Sequence, residues 1–286
     1  MKLIVCGATG YVGRRLITRA RGRIETLPTS SRAIPGHAHL DLLAPDEAFL
    51  ARLQPGDVLA LAAAISSPDL CNNDFERAWE LNVTATGELV RRALAAGTRV
   101  IFLASDTVYG EQPEPFDERC AGRPAGPYAR MKRALELRFE GHRGFKSLRL
   151  SYVFSKDDKF TRYLEGCHKS GQPADLFHPF LRSVVHRDDV VDAVIALALR
   201  WDEFPDGVLN VGGPQTLSRV EFADTLRAAA LPGLQVVVTE PDDAFFEGRP
   251  RRIAMRSPLL PALLGRPPRS LAQAAALEFD PQPSLT

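Results

Sequence analysis

Tyr128 and Lys132 stand four residues apart in the stretch Tyr128-Ala-Arg-Met-Lys132. On a helix that spacing stacks the two side chains on one face, about 6 Å apart along the axis. A phenol near pKa 10 is a poor acid–base group at neutral pH. An ammonium about 5 Å away, at an effective dielectric near 20, favours the phenolate by about 3 kcal/mol. That lowers the phenol by roughly two pKa units, into a range useful for proton transfer. The expectation is a tyrosine acid–base group tuned by its lysine. Such a pair also arises by chance on many helices, so its neighbours matter. Ser105 ends the apolar run Arg99-Val-Ile-Phe-Leu-Ala104. A hydroxyl there can bond a substrate oxygen beside Tyr128 and polarise a carbonyl.

The second chemical stretch is at the start of the chain. Leu3 to Cys6 are apolar and read as a short buried strand; Gly7, Gly10 and Gly13 follow at intervals of three, and a helical stretch, Tyr11 to Arg19, begins at once. A strand, a glycine-punctuated turn and a helix N-terminus form an anion cradle, because glycines let backbone N–H groups approach a pyrophosphate and the helix dipole adds partial positive charge. The spacing is G-x-x-G-x-x-G rather than G-x-G-x-x-G. A second strand is expected over Ile24 to Leu27, followed by Pro-Thr-Ser-Ser-Arg-Ala at 28–33. In a dinucleotide fold this strand end meets the adenosine ribose, where an acid would accept a bond from the 2′-OH of NAD. No acid occurs between Leu27 and Leu40. Ser31 and Arg32 instead offer a hydroxyl and a guanidinium that suit a 2′-phosphate, with Arg14 and Arg15 close enough in sequence to assist. This favours NADP over NAD.

The elements that must position these groups alternate. Strands are expected over Asp57 to Ala63, Arg99 to Ala104 and Ser147 to Val153, and helices over Pro45 to Leu53, Phe75 to Ala96 and Pro127 to Glu140. Gly97 closes the second of those helices as a C-cap, and Pro127 opens the third. The alternation implies an α/β fold, a Rossmann-type doubly wound parallel sheet with ligands at the carboxyl ends of its strands. Residues 1–153 would form this nucleotide-binding domain. Residues 154–286 would form a small C-terminal α/β substrate lobe, with some segments returning to the main sheet. Elements expected there include an amphipathic helix over Arg187 to Trp201, a strand over Val208 to Val211 and a helix from Ser218 with a Ser218/Glu221 capping box.

Composition narrows the class. A chain of 286 residues with 45% hydrophobic and 25% charged residues is an ordinary globular composition. The 36 basic residues against 35 acidic ones give no case for a nucleic-acid or membrane surface. The four cysteines, Cys6, Cys71, Cys120 and Cys167, lack metal-ligand spacing and read as reduced thiols of a cytoplasmic protein. No metal site is expected. No apolar run approaches the roughly 18 residues of a membrane helix, and a fold that needs its first strand from residue 2 leaves no room for a leader.

Taken together, Gly7-Ala-Thr-Gly-Tyr-Val-Gly13, Leu81-Asn82-Val83, Ser105-Asp-Thr-Val-Tyr-Gly110, Tyr128-x-x-x-Lys132 with Glu136, Leu148-Arg149-x-Ser-Tyr-Val153, Val185-His186-Arg-Asp-Asp-Val190 and Leu209-Asn-Val-Gly-Gly213 resemble the extended short-chain dehydrogenase/reductase family of NAD(P)-dependent sugar-nucleotide epimerases, dehydratases and reductases. The resemblance covers almost the whole chain. It implies Tyr128 as catalytic acid/base, with Lys132 and Ser105 as its partners. It implies a cofactor held by Gly7, Thr9, Gly10, Tyr11, Val12, Gly13, Ser31, Arg32, Asp41, Leu42, Ala62, Ala63, Asn82, Tyr128, Lys132 and Val153. It also implies a substrate, a sugar nucleotide, held by Ser66, Asp106, Thr107, Arg182, His186 and Arg249. Dehydratases of the family carry an Asp-Glu pair after the catalytic Ser/Thr. Here the pair is Asp106-Thr107, and Thr107 cannot act as a base. The length and the ending, Gly248-Arg-Pro250 with Pro258-Leu-Leu, look like the dTDP-4-dehydrorhamnose reductase branch, which implies reduction of a keto sugar nucleotide. Two residues depart from the pattern: Thr107, where that branch tends to place an aromatic, and Ser155, where a glycine is common. A cofactor-retaining epimerase and a non-catalytic NADP-binding regulatory subunit are the alternatives, and the family suggests a homodimer.

Overall fold

A computed structural model describes residues 1–280; positions 281–286 of the expected lobe lie outside the described residues. Seven strands build the main sheet: β1 Lys2–Cys6, β2 Glu25–Ser30, β3 Ala38–His39, β4 Val58–Leu61, β5 Arg99–Ser105, β6 Phe145–Leu150 and β7 Val208–Val211. Their order is β7-β6-β5-β4-β1-β2-β3, and every pairing is parallel. The chain walks outward from β1 to β3, then restarts at β4 on the other side of β1. The crevice between β1 and β4 is therefore the switch point where such sheets bind ligands, and the glycine turn lies there.

The central strands are apolar without alternation because both faces are covered. All four residues of β4 are buried. The helices around the sheet include α1 Tyr11–Ala20, α2 Pro68–Asn73, α3 Pro127–Arg138 and α4 Arg187–Leu199, while α5 Arg219–Ala229 and α6 Leu271–Phe279 belong to the lobe. On one face Leu16 and Ala20 of α1 meet Val191, Val194 and Ile195 of α4 over Leu3 and Val5. On the other, Leu89, Val90 and Leu135 pack on Ile4, Leu59 and Phe102. A separate core, with Phe154, Phe160, Leu176, Phe222 and Leu271, fills the lobe.

Several elements differ from their expected form. The second strand starts at Glu25 and runs through Pro28 to Ser30. Pro28 pairs with Val5 of β1, and β3 joins β2 only from Thr29, so the outer side of Pro28 has no ladder partner. Helix 75–96 is interrupted: Phe75–Trp79 and Thr86–Ala95 flank a π-helical turn, Glu80–Ala85. The Thr86 hydroxyl donates to the Leu81 carbonyl, five residues back, at 2.7 Å. The expected strand 147–153 ends at Leu150, and Val153–Phe154 pairs instead with Val185–His186. Helix α4 is not amphipathic. Nine of its thirteen residues are buried, because α1, the sheet and helix Leu260–Leu264 surround it. After entering the lobe at about residue 154 the chain returns to add α4 and β7 to the main sheet, then leaves again.

Candidate active site

Gly7 follows β1 with φ +86°. A Cβ there would come within 2.6 Å of the Ala63 nitrogen, and one on Gly13 within 2.1 Å of the Gly7 carbonyl oxygen. The turn thus packs backbone on backbone against the end of β4, where the Ala62 N–H donates to the Cys6 carbonyl. Helix α1 starts with Gly10 as N-cap, with no side-chain cap and no acid in its first turn. The first N–H groups are left for an external acceptor, and the macrodipole adds positive charge. Thr9 and Gly10 are exposed, Tyr11 and Val12 half-buried. A dinucleotide pyrophosphate fits this cradle. The Tyr11 side chain turns away from it: its hydroxyl donates to the Val153 carbonyl at 3.2 Å and meets Ser155 Oγ at 2.7 Å. That bond is a physical use for the serine at a position where the family pattern has glycine.

At the outer end of the crevice Ser31 and Arg32 are exposed, and the Arg32 guanidinium has no partner among the described residues. Asp41 follows β3 and caps the Leu43 N–H, while Leu42 is buried in the core. Arg15 does not reach this end. It is held by Asp188 at 2.5 and 2.6 Å, so the expectation that it assists at a 2′ group is corrected.

At the inner end the elements converge on Tyr128. Asn82, inside the π-helical turn, clamps Ile65 of the β4–α2 loop through both amide atoms, each bond 2.9 Å. Its role is to hold that loop, and Ser66 lies exposed within it. Cys71 on α2 donates to the same Ile65 carbonyl at 3.3 Å. Tyr128, half-buried on the first turn of α3, packs near Ile65, Trp79 and Met131. Its hydroxyl has no hydrogen bond to any described residue.

The expected lowering of the Tyr128 phenol by Lys132 is corrected. Lys132 Nζ donates to the Leu103 carbonyl at 2.8 Å and sits over the Phe102 ring. It lies 5.7 Å from the centre of the Tyr128 ring. Burial pushes the Tyr128 phenol above its ordinary value, and the charges of Asp106 and Cys71 push the same way. Burial also pushes the Lys132 ammonium down to about 8, against the pull of Glu136 and Cys71. Burial therefore leaves Tyr128 protonated at neutral pH.

Ser105 ends β5. Its Oγ accepts from the Thr107 N–H at 3.3 Å and the Thr107 hydroxyl at 3.0 Å, and its own proton goes to Asp106 at 3.2 Å. Asp106 is buried and also accepts from Ser151 at 2.8 Å. Burial pushes its carboxyl up, with Arg182 opposing. Thr107 therefore orients Ser105 instead of offering a free group of its own.

Three expected substrate ligands stand otherwise. Arg182 reaches the site, with Nε 3.9 Å from Asp106, but its terminal nitrogens are bonded to the Leu181 and Pro250 carbonyls at 2.7 and 2.8 Å. His186 is buried and bonded to Glu278 at 2.9 Å, away from the crevice. Arg249 pairs with Asp69 of α2 and donates to the Phe245 carbonyl at 3.0 Å. It straps the lobe to the β4 side at the cleft mouth. Sequence reasoning missed Cys71 and Ser151, since nothing in their local pattern marks them; only the tertiary contacts do.

Comparison with known proteins follows the same lines. Residues 3–212 match the model of the NAD dependent epimerase/dehydratase family. The chain is 25% identical over 234 residues to methionine adenosyltransferase 2 subunit beta of Mus musculus, covering 78% of this chain and 70% of that one. It is 30% identical over 142 residues to dTDP-4-dehydrorhamnose reductase of Mycobacterium tuberculosis, 47% of this chain and 44% of that one. Among solved structures, UDP-glucuronic acid 4-epimerase from Bacillus cereus, in complex with UDP-glucuronic acid and NAD, superposes with a TM-score of 0.80 over 98% of both chains at 19% identity. At that identity the likeness speaks for the fold.

Proposed function

The chain belongs to the NAD dependent epimerase/dehydratase family, and from that premise we propose that it reduces a keto group of a sugar nucleotide with a nicotinamide cofactor. One observation supports the reading: Tyr128, on the first turn of α3, keeps its hydroxyl free of hydrogen bonds to any described residue. A protonated phenol so placed is the proton donor that reduction of a carbonyl needs. The nicotinamide, when bound, supplies the hydride. Tyr128 Oη gives its proton to the carbonyl oxygen. A bound carbonyl draws the Ser105 proton from Asp106 and is polarised by it. The Lys132 ammonium, one turn along α3, stabilises the phenolate left behind. The glycine turn and α1 hold the pyrophosphate. Mixing the protein with NADPH and a panel of 4-keto sugar nucleotides tests the reading; nicotinamide absorbance that stays constant with every substrate overturns it.

The Lys132 value sets a pH dependence. Below about 8 the ammonium is present, and above it the charge is lost. We expect kcat/KM to be flat around neutrality and to fall above pH 8, with the limb absent from a Lys132→Arg variant, whose guanidinium stays charged. Activity rising through pH 8 contradicts the assignment.

The cofactor preference proposed is NADP. What supports it is the exposed Ser31-Arg32 pair at the end of β2. Arg32→Ala should weaken NADPH binding about tenfold or more, the size of a lost charge-assisted bond, and leave NADH binding unchanged. Equal effects on both cofactors refute it.

The resemblance to methionine adenosyltransferase 2 subunit beta favours a second reading, a nucleotide-binding subunit of another enzyme. A stoichiometric partner in a pull-down, with no turnover of any substrate, would select it.

A further inference from the structure

Ser155 stands where the family pattern has glycine, and the proton-transfer chemistry has no use for it. Its partner Tyr11 is the first residue of α1, directly after the Gly10 N-cap, so the Tyr11 N–H is among the donors the glycine turn leaves free. The tyrosine side chain is caught by the loop that leads into the lobe. Its proton goes to the Val153 carbonyl at 3.2 Å, so at the 2.7 Å contact Ser155 Oγ donates; Ser155 Oγ in turn accepts from the Asp157 N–H at 3.2 Å. The bonds run in one direction, from the Asp157 N–H through Ser155 and Tyr11 to the Val153 carbonyl. Burial pushes the Tyr11 phenol up, against the Ser155 bond, so it keeps the proton it donates. Arg187 backs the ring: its guanidinium lies 4.8 Å from the ring centre and pairs with Asp157 at 3.2 Å.

The loop is itself held fast. Asp158 caps helix Lys159–Ser170 through the Phe160 and Thr161 N–H groups at 2.9 and 3.0 Å, and it also accepts from the Ser155 N–H at 3.2 Å and the Tyr152 hydroxyl at 2.6 Å. Val153 and Phe154 pair with Val185 and His186. The tie on Tyr11 therefore reaches the N-terminus of α1 from a fixed point 144 residues further along the chain. An anion site gains affinity when its donors are held in place before the ligand arrives, and such gains are read mostly in the dissociation rate.

We infer that Ser155 is a positioning residue for the dinucleotide: through Tyr11 it clasps the glycine turn to the lobe-entry loop, keeps the turn's free N–H donors in place for the pyrophosphate, and slows release of the cofactor. The inference rests on the nicotinamide-cofactor part of the reading above and adds to it a control on exchange. A reductase trades its spent cofactor for a fresh one at every turnover, so the clasp bears directly on how fast the enzyme can cycle. Ser155 is fully buried and acts through Tyr11.

Stopped-flow displacement of NADPH, and separately of NADH, from the whole chain reads the release rate in wild type, Ser155→Ala, Tyr11→Phe and the double variant. Alanine suits the backbone at 155, since among the described residues only glycines have a positive φ. Ser155→Ala should speed release about fivefold, the worth of one lost hydrogen bond, and Tyr11→Phe by at least as much. Because Ser155 acts through Tyr11, the double variant should release cofactor no faster than Tyr11→Phe alone, whereas independent effects would multiply. Release within a factor of about two of wild type in either single variant overturns the clasp. So does a double variant whose effect is the product of the two, the mark of general loosening. Tyr128-dependent turnover of a keto sugar nucleotide alongside either of those results leaves the reductase reading standing. The expected release rates without turnover of any such substrate keep the clasp and remove the reductase reading, and a wild type that binds neither cofactor removes both.

Discussion

Replacing Tyr128 with phenylalanine is expected to lower kcat/KM by about 10²–10⁴-fold, the usual worth of a positioned proton donor, while cofactor affinity stays within a factor of about two of wild type. The loss should be this large because no neighbour can stand in. The Ser105 proton points to Asp106 and the Lys132 ammonium to the Leu103 carbonyl. Asp106 is itself ringed by Ser105, Ser151 and Arg182. The ring of the variant can keep its place against the cluster of Cys71, Ala78, Val83 and Met131, so a fall in activity reports the lost hydroxyl and not a moved helix. Single-turnover reduction, followed at the nicotinamide band alongside cofactor titration, separates the two. An unchanged rate would remove Tyr128 from the chemistry and strengthen the subunit reading.

The second large effect is on stability. Glu136→Gln should lower the free energy of unfolding by about 3–5 kcal/mol, the cost of leaving one partner of a buried ion pair behind. Glu136 and Arg149 expose only 2% and 3% of their side chains. Glu136 Oε1 accepts from Ser147 at 2.6 Å and Arg149 at 3.0 Å; Oε2 accepts from Arg149 at 2.8 Å and Arg133 at 3.0 Å. Burial pushes the Glu136 carboxyl up, but the bonds from Arg149, Ser147 and Arg133 outweigh it and hold the carboxyl below its usual range. A carboxyl depressed in the fold stabilises above its unfolded pKa and loses that contribution as pH falls through the folded value. Urea unfolding should therefore show the two proteins converging in acid and differing most near neutrality. Because Glu136 also raises Lys132, the alkaline limb of activity should move below pH 8 in the variant. A loss under 1 kcal/mol would mean that Arg149 finds another partner.

The glycine turn was legible because its signal is local. Three glycines, a strand before and a helix after need no knowledge of distant residues, and the structure explains each spacing by a backbone contact. Tyr128-x-x-x-Lys132 was legible as a pair on one face. The direction of Lys132 was not, since it is set by the Leu103 carbonyl and the Phe102 ring on a different strand. The partners of Arg182, His186 and Arg249 could not be read for the same reason: Asp106 and the Pro250 carbonyl, Glu278 and Asp69 are distant in sequence. The π-helical turn at Glu80–Ala85 leaves no mark in a 3.6-residue pattern.

The return of the chain to the main sheet has a consequence for how the protein can be dismantled. Removing everything from residue 154 would strip β7 from β6 and α4 from α1. That would leave β6 as a naked, pairing-competent edge and uncover the apolar side of α1. The nucleotide-binding half is thus not a separable piece, because its outermost strand and one of its two covering layers are encoded after the first pass through the lobe. Sheet and lobe should melt in one cooperative transition, and contacts between strands as far apart as Ser147 and Val208 must form before either half is secure, which places this chain among slow folders.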